Sequence, residues 1–309
     1  CGGDKKEAGA KAEKVNVGIV QLVEHEALDA ANKGFVDGLA SKGYKEGQNI
    51  TFDKQNAQAD QSNLQNIAHR FVNNKVDLIC AIATPAAQTV ANVTSDIPIV
   101  ATAVTDYKTA KLVKDDAKPG TNVTGTTDMN PVAEQLDLLL KLVPNAKTIG
   151  TIYCSSEVNS QLQVELLKKA AAAKGITVKE ATVSTVNDIQ QAARSLAGDV
   201  QAVYVPTDNV LASAIPTLIS VTEEAKLPVI CAEGGMVRAG GLATLGVDYY
   251  KLGFQTGVMA ADILSGKAKP ADMAIQAQKE FKPTINLKEA AKIGLKVPED
   301  LLKGAEVIK

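Results

Sequence analysis

The feature that most constrains this chain is that it repeats itself. Val17-Gly-Ile-Val20 is echoed by Ile149-Gly-Thr-Ile152, and Ser41-Lys-Gly-Tyr44 by Ala173-Lys-Gly-Ile176. Both pairs place their glycines 132 residues apart. Ile97-Pro-Ile-Val100 returns as Leu227-Pro-Val-Ile230, with the prolines 130 apart. Three matches in one order at a near-constant offset require two similar units of roughly 110 to 130 residues, each the size of an ordinary domain.

Within each unit, short β-branched runs alternate with longer amphipathic stretches. In the first, strands are expected at 14–20, 49–52, 76–83 and 97–102, with helices at 28–42, 61–74 and 85–92. Such alternation predicts parallel sheets with crossover helices, an α/β chain of two Rossmann-like lobes. The boundaries read as a tether over 1–14, a first lobe of 15–127 joined by about 249–270, and a second of 128–248 joined by about 271–309. Ligands of open parallel sheets bind beyond the carboxyl ends of the strands. Two lobes facing each other by those ends share one cleft, which closes by bending at the connections.

In the first lobe, the segment after the first strand brings Gln21, Leu22, His25 and Leu28 to that edge. His25 either meets a ligand or orders its loop through Glu24 or Asp29. Thr84-Pro85 reads as an N-cap followed by proline at the first helical position, leaving the amides of Ala86 and Ala87 free for an anion or for water. Thr102, Ala103 and Thr105 end the next strand. The second lobe delivers Glu157, Asn159, Ser160, Asp208, Asn209, Glu233, Gly234 and Asp248. One wall offers hydroxyls and amides and the other carboxylates, a pairing suited to a zwitterion.

Composition removes other classes. Net charge is −2, only three of the 33 basic residues are arginine (Arg70, Arg194, Arg238), and aromatics make up 4%, so nucleic acid is not an expected partner. Two histidines and no Cys-x-x-Cys spacing leave no metal site, and no cofactor is expected. The Gly-x-Gly-x-x-Gly, phosphate-loop and Gly-x-Ser-x-Gly patterns are absent; Gly234-Gly-Met-Val-Arg-Ala-Gly-Gly241 fits none of them. The chain is therefore expected not to be an enzyme. Cys80, Cys154 and Cys231 sit in apolar runs and read as buried packing residues.

The start, Cys1-Gly2-Gly3 followed by a polar stretch to Lys14, resembles the mature end of a bacterial lipoprotein. That resemblance implies a lipid on Cys1, a flexible tether and an extracytoplasmic, membrane-anchored monomer. Taken together, Val23-Glu-His-Glu-Ala-Leu-Asp29, Val104-Thr-Asp106, Gly120-Thr-Asn-Val-Thr-Gly125, Glu157-Val-Asn-Ser160, Thr207-Asp-Asn209 and Gly246-Val-Asp-Tyr249 resemble the solute-binding lipoproteins of ABC importers that include a tryptophan/tyrosine-binding group. The resemblance covers Lys14 to the C-terminus; it departs where Tyr107 follows Asp106, a place the family often gives to proline. It implies a type I periplasmic-binding fold with three crossings between lobes, and capture of an amino acid for an ABC permease. The amino acid is expected to be aromatic, with a branched or other small amino acid, a nucleoside, or a sensing role as alternatives. It puts Thr84 and its helix amides on the ligand carboxylate and acids of the second lobe on the ammonium; Leu22, Leu28 and Tyr107 are the candidates for the side-chain pocket.

Overall fold

The computed structural model describes residues 14–309; Cys1 and the tether before Lys14 lie outside the described residues. The chain opens with β1 (Val15–Gln21), α1 (Glu26–Ser41), β2 (Ile50–Asn56), α2 (Gln61–Asn73), β3 (Leu78–Ile82), α3 (Thr84–Val93), β4 (Ile99–Val104) and β5 (Val123–Thr127). It then crosses into α4 (Val132–Leu142), β6 (Thr148–Cys154), α5 (Val158–Ala172), β7 (Thr177–Val183) and α6 (Ile189–Ala197). That lobe continues with β8 (Ala202–Val205), α7 (Asn209–Ser213), α8 (Ile215–Glu224), β9 (Val229–Cys231), α9 (Gly234–Arg238) and β10 (Ala243–Gly246). A return brings α10 (Tyr249–Leu264) and β11 (Gln276–Ala277), and the chain ends with β12 (Lys282–Asn286), α11 (Leu287–Lys292) and β13 (Glu306–Ile308).

The duplication is visible in the strand orders. The first sheet runs β11-β5-β4-β3-β1-β2 and the second β13-β12-β10-β9-β8-β6-β7, so β5-β4-β3-β1-β2 is matched by β10-β9-β8-β6-β7. All pairings among these strands are parallel except β10 with β12. Every residue of β3 and β4 is buried, as expected of strands covered by helices on both faces. In the second sheet Ala202 and Tyr204 point into one core and Val203 and Val205 into the other, the two-residue period of a strand.

Three segments join the lobes, at 128–131, 247–248 and 278–281, in agreement with the three crossings the family resemblance implies. The last lies later than the expected boundary near 271. Residues 271–277 lean on the first lobe, since Met273 O accepts from Thr124 Oγ1, Ile275 N donates to Asp116 O, and β11 extends the first sheet.

The returning α10 packs on α1 through glycines. A Cβ at Gly38 would stand 2.2 Å from Phe254 O, and one at Gly253 2.0 Å from Ala31 O. Only hydrogen fits there, so the two backbones meet directly and fix the start of α1, with His25 before it, against the first sheet.

Candidate functional site

The carboxyl ends of the two sheets face each other, and hydrogen bonds cross between them. His25 Nε2 lies 2.9 Å from Asn209 Oδ1, and Thr105 Oγ1 lies 3.1 Å from Thr207 Oγ1. Between these points is a small cavity of about 10 Å³ lined by His25, Ala27, Leu28, Ala103, Asp128, Thr207, Asp208, Asn209, Ala212, Glu233, Met236 and Tyr249. Two backbones are strained at the strand ends of the first lobe: Ala83 after β3 has φ +91°, and Ala103 in β4, which lines the cavity, has φ +56°. Alanine resists positive φ at a cost of order 1–3 kcal/mol, and such strain concentrates at binding sites. At Ala103 the register between β4 and β5 also shifts, which turns this residue toward the cleft.

The carboxylates divide into two kinds. Asp208 caps α7 through Leu211 N and also accepts from Cys154 N and Ser160 Oγ, both at 2.6 Å. Glu157 accepts from the Asn209 amide at 3.0 Å and its side chain at 2.6 Å, with Asn159 Nδ2 at 3.3 Å. Burial and the Asp208 charge push Glu157 well above the usual carboxylate range, and burial raises Asp208 as well. Asp128 is likewise satisfied, by Thr105 Oγ1 at 3.0 Å and Tyr249 OH at 2.5 Å, and burial raises it.

Glu233 differs. It caps α9 by accepting from Met236 N at 2.5 Å through Oε1, and among the described residues its Oε2 takes no hydrogen bond. The side chain is 2% exposed and lines the cavity, and burial lifts its pKa to about 7. Among the described residues no lysine or arginine lines the cavity, so a cationic group placed there would be drawn to Glu233.

Of the residues expected from the sequence, the cavity gathers His25, Leu28, Ala103, Asp208, Asn209 and Glu233. Thr105, Glu157, Asn159 and Ser160 stand behind that wall, holding Asp128, Thr207, Asp208 and Asn209. The helix start at Thr84 needs correction: α3 begins with Thr84 itself after Ala83, and the Ala87 amide donates to Ala83 O, which leaves Ala86 and not Ala87 with a free amide. Thr84 Oγ1 is buried and has no partner among the described residues.

Six other expected residues lie away from the cavity. Gln21 orders its own turn through Val23 O, Asp29 and Asn32, and Leu22 is packed in the first core. Thr102 is bonded to Thr126 inside the first lobe. The Tyr107 hydroxyl donates to Ala101 O and Thr126 O, which makes this ring a brace and not a pocket wall. Asp248 caps α10, and Gly234 faces a neighbouring cavity nearer the crossings. Sequence reasoning missed Ala27, Asp128, Thr207, Ala212, Met236 and Tyr249. The rule that sites collect just past strand ends, applied to β5 and β10, would have found Asp128 and Tyr249.

Comparison with known proteins agrees with this architecture. The family model described as ABC transporter substrate binding protein matches residues 16–309. A tyrosine-binding protein of Clostridioides difficile is 48% identical over 265 residues, covering 86% of this chain and 76% of that protein. The crystal structure of an ABC domain in complex with L-Trp from Streptococcus pneumonia superposes with a TM-score of 0.92 at 41% identity, covering 96% of this chain and all of that one. A ligand-free, open substrate-binding protein from Clostridium difficile reaches only 0.73 at 45% identity, covering 96% of this chain and 99% of that one. The open form is the more identical in sequence and the less similar in shape, so the lobes here stand in the arrangement of the Trp complex.

Proposed function

Because the chain belongs to the family of ABC transporter substrate-binding proteins, extracytoplasmic components that bind a solute and catalyse nothing, we propose that it captures an aromatic α-amino acid between its lobes. The observation that carries this reading is Glu233, a buried carboxylate at the closed seam whose second oxygen has no hydrogen bond among the described residues. In the proposal Glu233 receives the ligand ammonium, and Thr84 with the free Ala86 amide receives the carboxylate. The aliphatic faces of Leu28, Ala27, Ala103, Ala212 and Met236 pack on the side chain. Support for an aromatic ligand comes from the relatives, one named for tyrosine and one crystallised with L-Trp.

A ligand that touches both walls favours the closed arrangement by the difference between its affinities for the closed and open forms. The closed, loaded protein then presents a different outer surface to its permease from the open one. Calorimetric titration of the ligand-stripped protein tests the reading. L-Trp, L-Tyr or L-Phe is expected to bind. N-acetyl-L-tryptophan, which lacks the ammonium, and tryptamine, which lacks the carboxylate, are each expected to bind at least about tenfold more weakly, the value of one lost charge-assisted hydrogen bond. Equal binding of N-acetyl-L-tryptophan would remove Glu233 from its role.

A further inference from the structure

We propose that Arg238 is an electrostatic clasp that holds the two lobes shut, and that the Gly234-Gly235 pair eases its engagement. Arg238 ends α9 in the second lobe, and its Nη1 donates to Glu306 of β13 at 2.7 Å. Thr284 Oγ1 donates to the same Glu306 oxygen at 3.3 Å. Both partners belong to the second sheet, so this half of the arrangement persists whatever the lobes do. The guanidinium is thereby aimed outward, and its Nε donates to Glu26, in the first turn of α1 in the other lobe. Among the described residues, Arg238 to Glu26 is the one ion pair that joins the lobes.

The glycines explain how the two helix starts come so near. A Cβ on Gly235 would lie 3.2 Å from Glu26 Cβ, and a Cβ on Gly234 would lie 3.0 Å from Arg238 Nη1. A Cβ at either position would crowd its neighbour by a few tenths of an ångström, so the glycines ease the approach of α1 and of the guanidinium. Neither glycine has a positive φ, so clearance and not backbone conformation is what the absent side chains provide. The glycine-rich run that matches no nucleotide-binding pattern thus has a use at the seam between lobes.

Only a contact present in one state can shift an equilibrium between two. The Glu306 contact exists in both states and positions the clasp; the Glu26 contact exists in the closed one. The Arg238, Glu26 and Glu306 side chains are 38%, 51% and 36% exposed, so the effect is modest and screened by salt.

This proposal rests on the reading that ligand is held between the lobes, and the experiment separates the two. Dissociation of L-tryptophan is followed by ligand fluorescence excited beyond tyrosine absorption, where the chain, which contains no tryptophan, adds little. Arg238→Gln and Glu26→Gln are each expected to speed dissociation about two- to fivefold, with association nearly unchanged. The double variant is expected to be no faster than either single one. Added salt should speed dissociation in the wild type and leave Arg238→Gln nearly flat, a response that a merely structural role would not give. Additive effects, or unchanged dissociation in both single variants, overturn the clasp. If L-tryptophan does not bind the wild type, the ligand reading fails. The clasp is then judged by spin-label distances between lobes, where Arg238→Gln must lower the closed fraction and an unchanged distribution overturns it.

Discussion

Replacing Glu233 with glutamine removes one charge and little else, and its consequences for binding and for stability have opposite signs. The glutamine side chain retains an oxygen able to accept from Met236 N, so α9 keeps its cap. The lost interaction with a ligand ammonium is a charge-assisted hydrogen bond worth about 1.5–3 kcal/mol, which weakens binding roughly 10- to 150-fold at about pH 8. In the wild type, burial raises this carboxyl from 4.5 to about 7. A raised carboxyl is neutral in the folded protein at low pH, and stability falls as pH climbs from 4.5 through about 7, where the buried group must ionise. The full cost above that range is about 3 kcal/mol. The ligand-free Glu233→Gln protein is therefore expected to be more stable than the wild type at about pH 8, by up to about 3 kcal/mol, while binding more weakly. Binding to the ionised carboxylate also expels a proton below about pH 7, so wild-type affinity should fall by up to about tenfold per pH unit as pH is lowered. The variant should be flat. Calorimetry at several pH values and urea unfolding of the ligand-free forms measure both halves. A wild-type affinity independent of pH, or a variant that binds as well as the wild type, refutes the reasoning.

Other expectations follow from the same geometry. Thr84→Val exchanges a buried, unpartnered hydroxyl for a methyl group of similar shape, so ligand-free stability should hold or rise while affinity falls about tenfold; a loss of stability in urea with intact affinity would assign Thr84 to the framework. Gly38→Ala drives a methyl toward Phe254 O and should cost about 1–3 kcal/mol or more in urea unfolding, and an unchanged midpoint would mean that α1 and α10 can part freely. Glu157→Gln mimics the protonated member of the Glu157 and Asp208 pair, whose raised folded pKa makes stability decline as pH rises above the usual carboxylate range. The variant should lose that decline, and an identical slope in both proteins would mean that Glu157 is not the group whose ionisation costs stability.

The sequence made the duplication, the alternation of strands and helices within each half and the strand-end clustering readable, because periodicity and repeat spacing are local properties of the chain. Glu233 was found by that logic, and so was Asp208, but the sequence does not distinguish them. One carboxylate is saturated by Leu211 N, Cys154 N and Ser160, and the other keeps an oxygen free, which depends on contacts between segments tens of residues apart. Tyr107 was misassigned for a related reason. An aromatic residue near a cleft edge looks like a pocket wall until its hydroxyl is seen bonded to two carbonyls of the first sheet. Asp128 begins one crossing and Tyr249 follows another, within reach of a strand-end rule, but the bond between them exists only once both sheets are assembled. Arg238 and Glu26 are 212 residues apart, and no pattern in either neighbourhood announces the pair.

The central claim is that the seam between the lobes binds an aromatic amino acid by its charged backbone groups. Its most direct test is thermal unfolding of the ligand-stripped protein with each of the twenty amino acids, nucleosides and sugars. A ligand at about a hundred times its dissociation constant adds about 2.7 kcal/mol of stability. The expected result is a clear rise in melting temperature with L-Trp, L-Tyr or L-Phe and none with sugars or nucleosides. A rise with a sugar or nucleoside and with no amino acid would contradict the claim while leaving the fold intact.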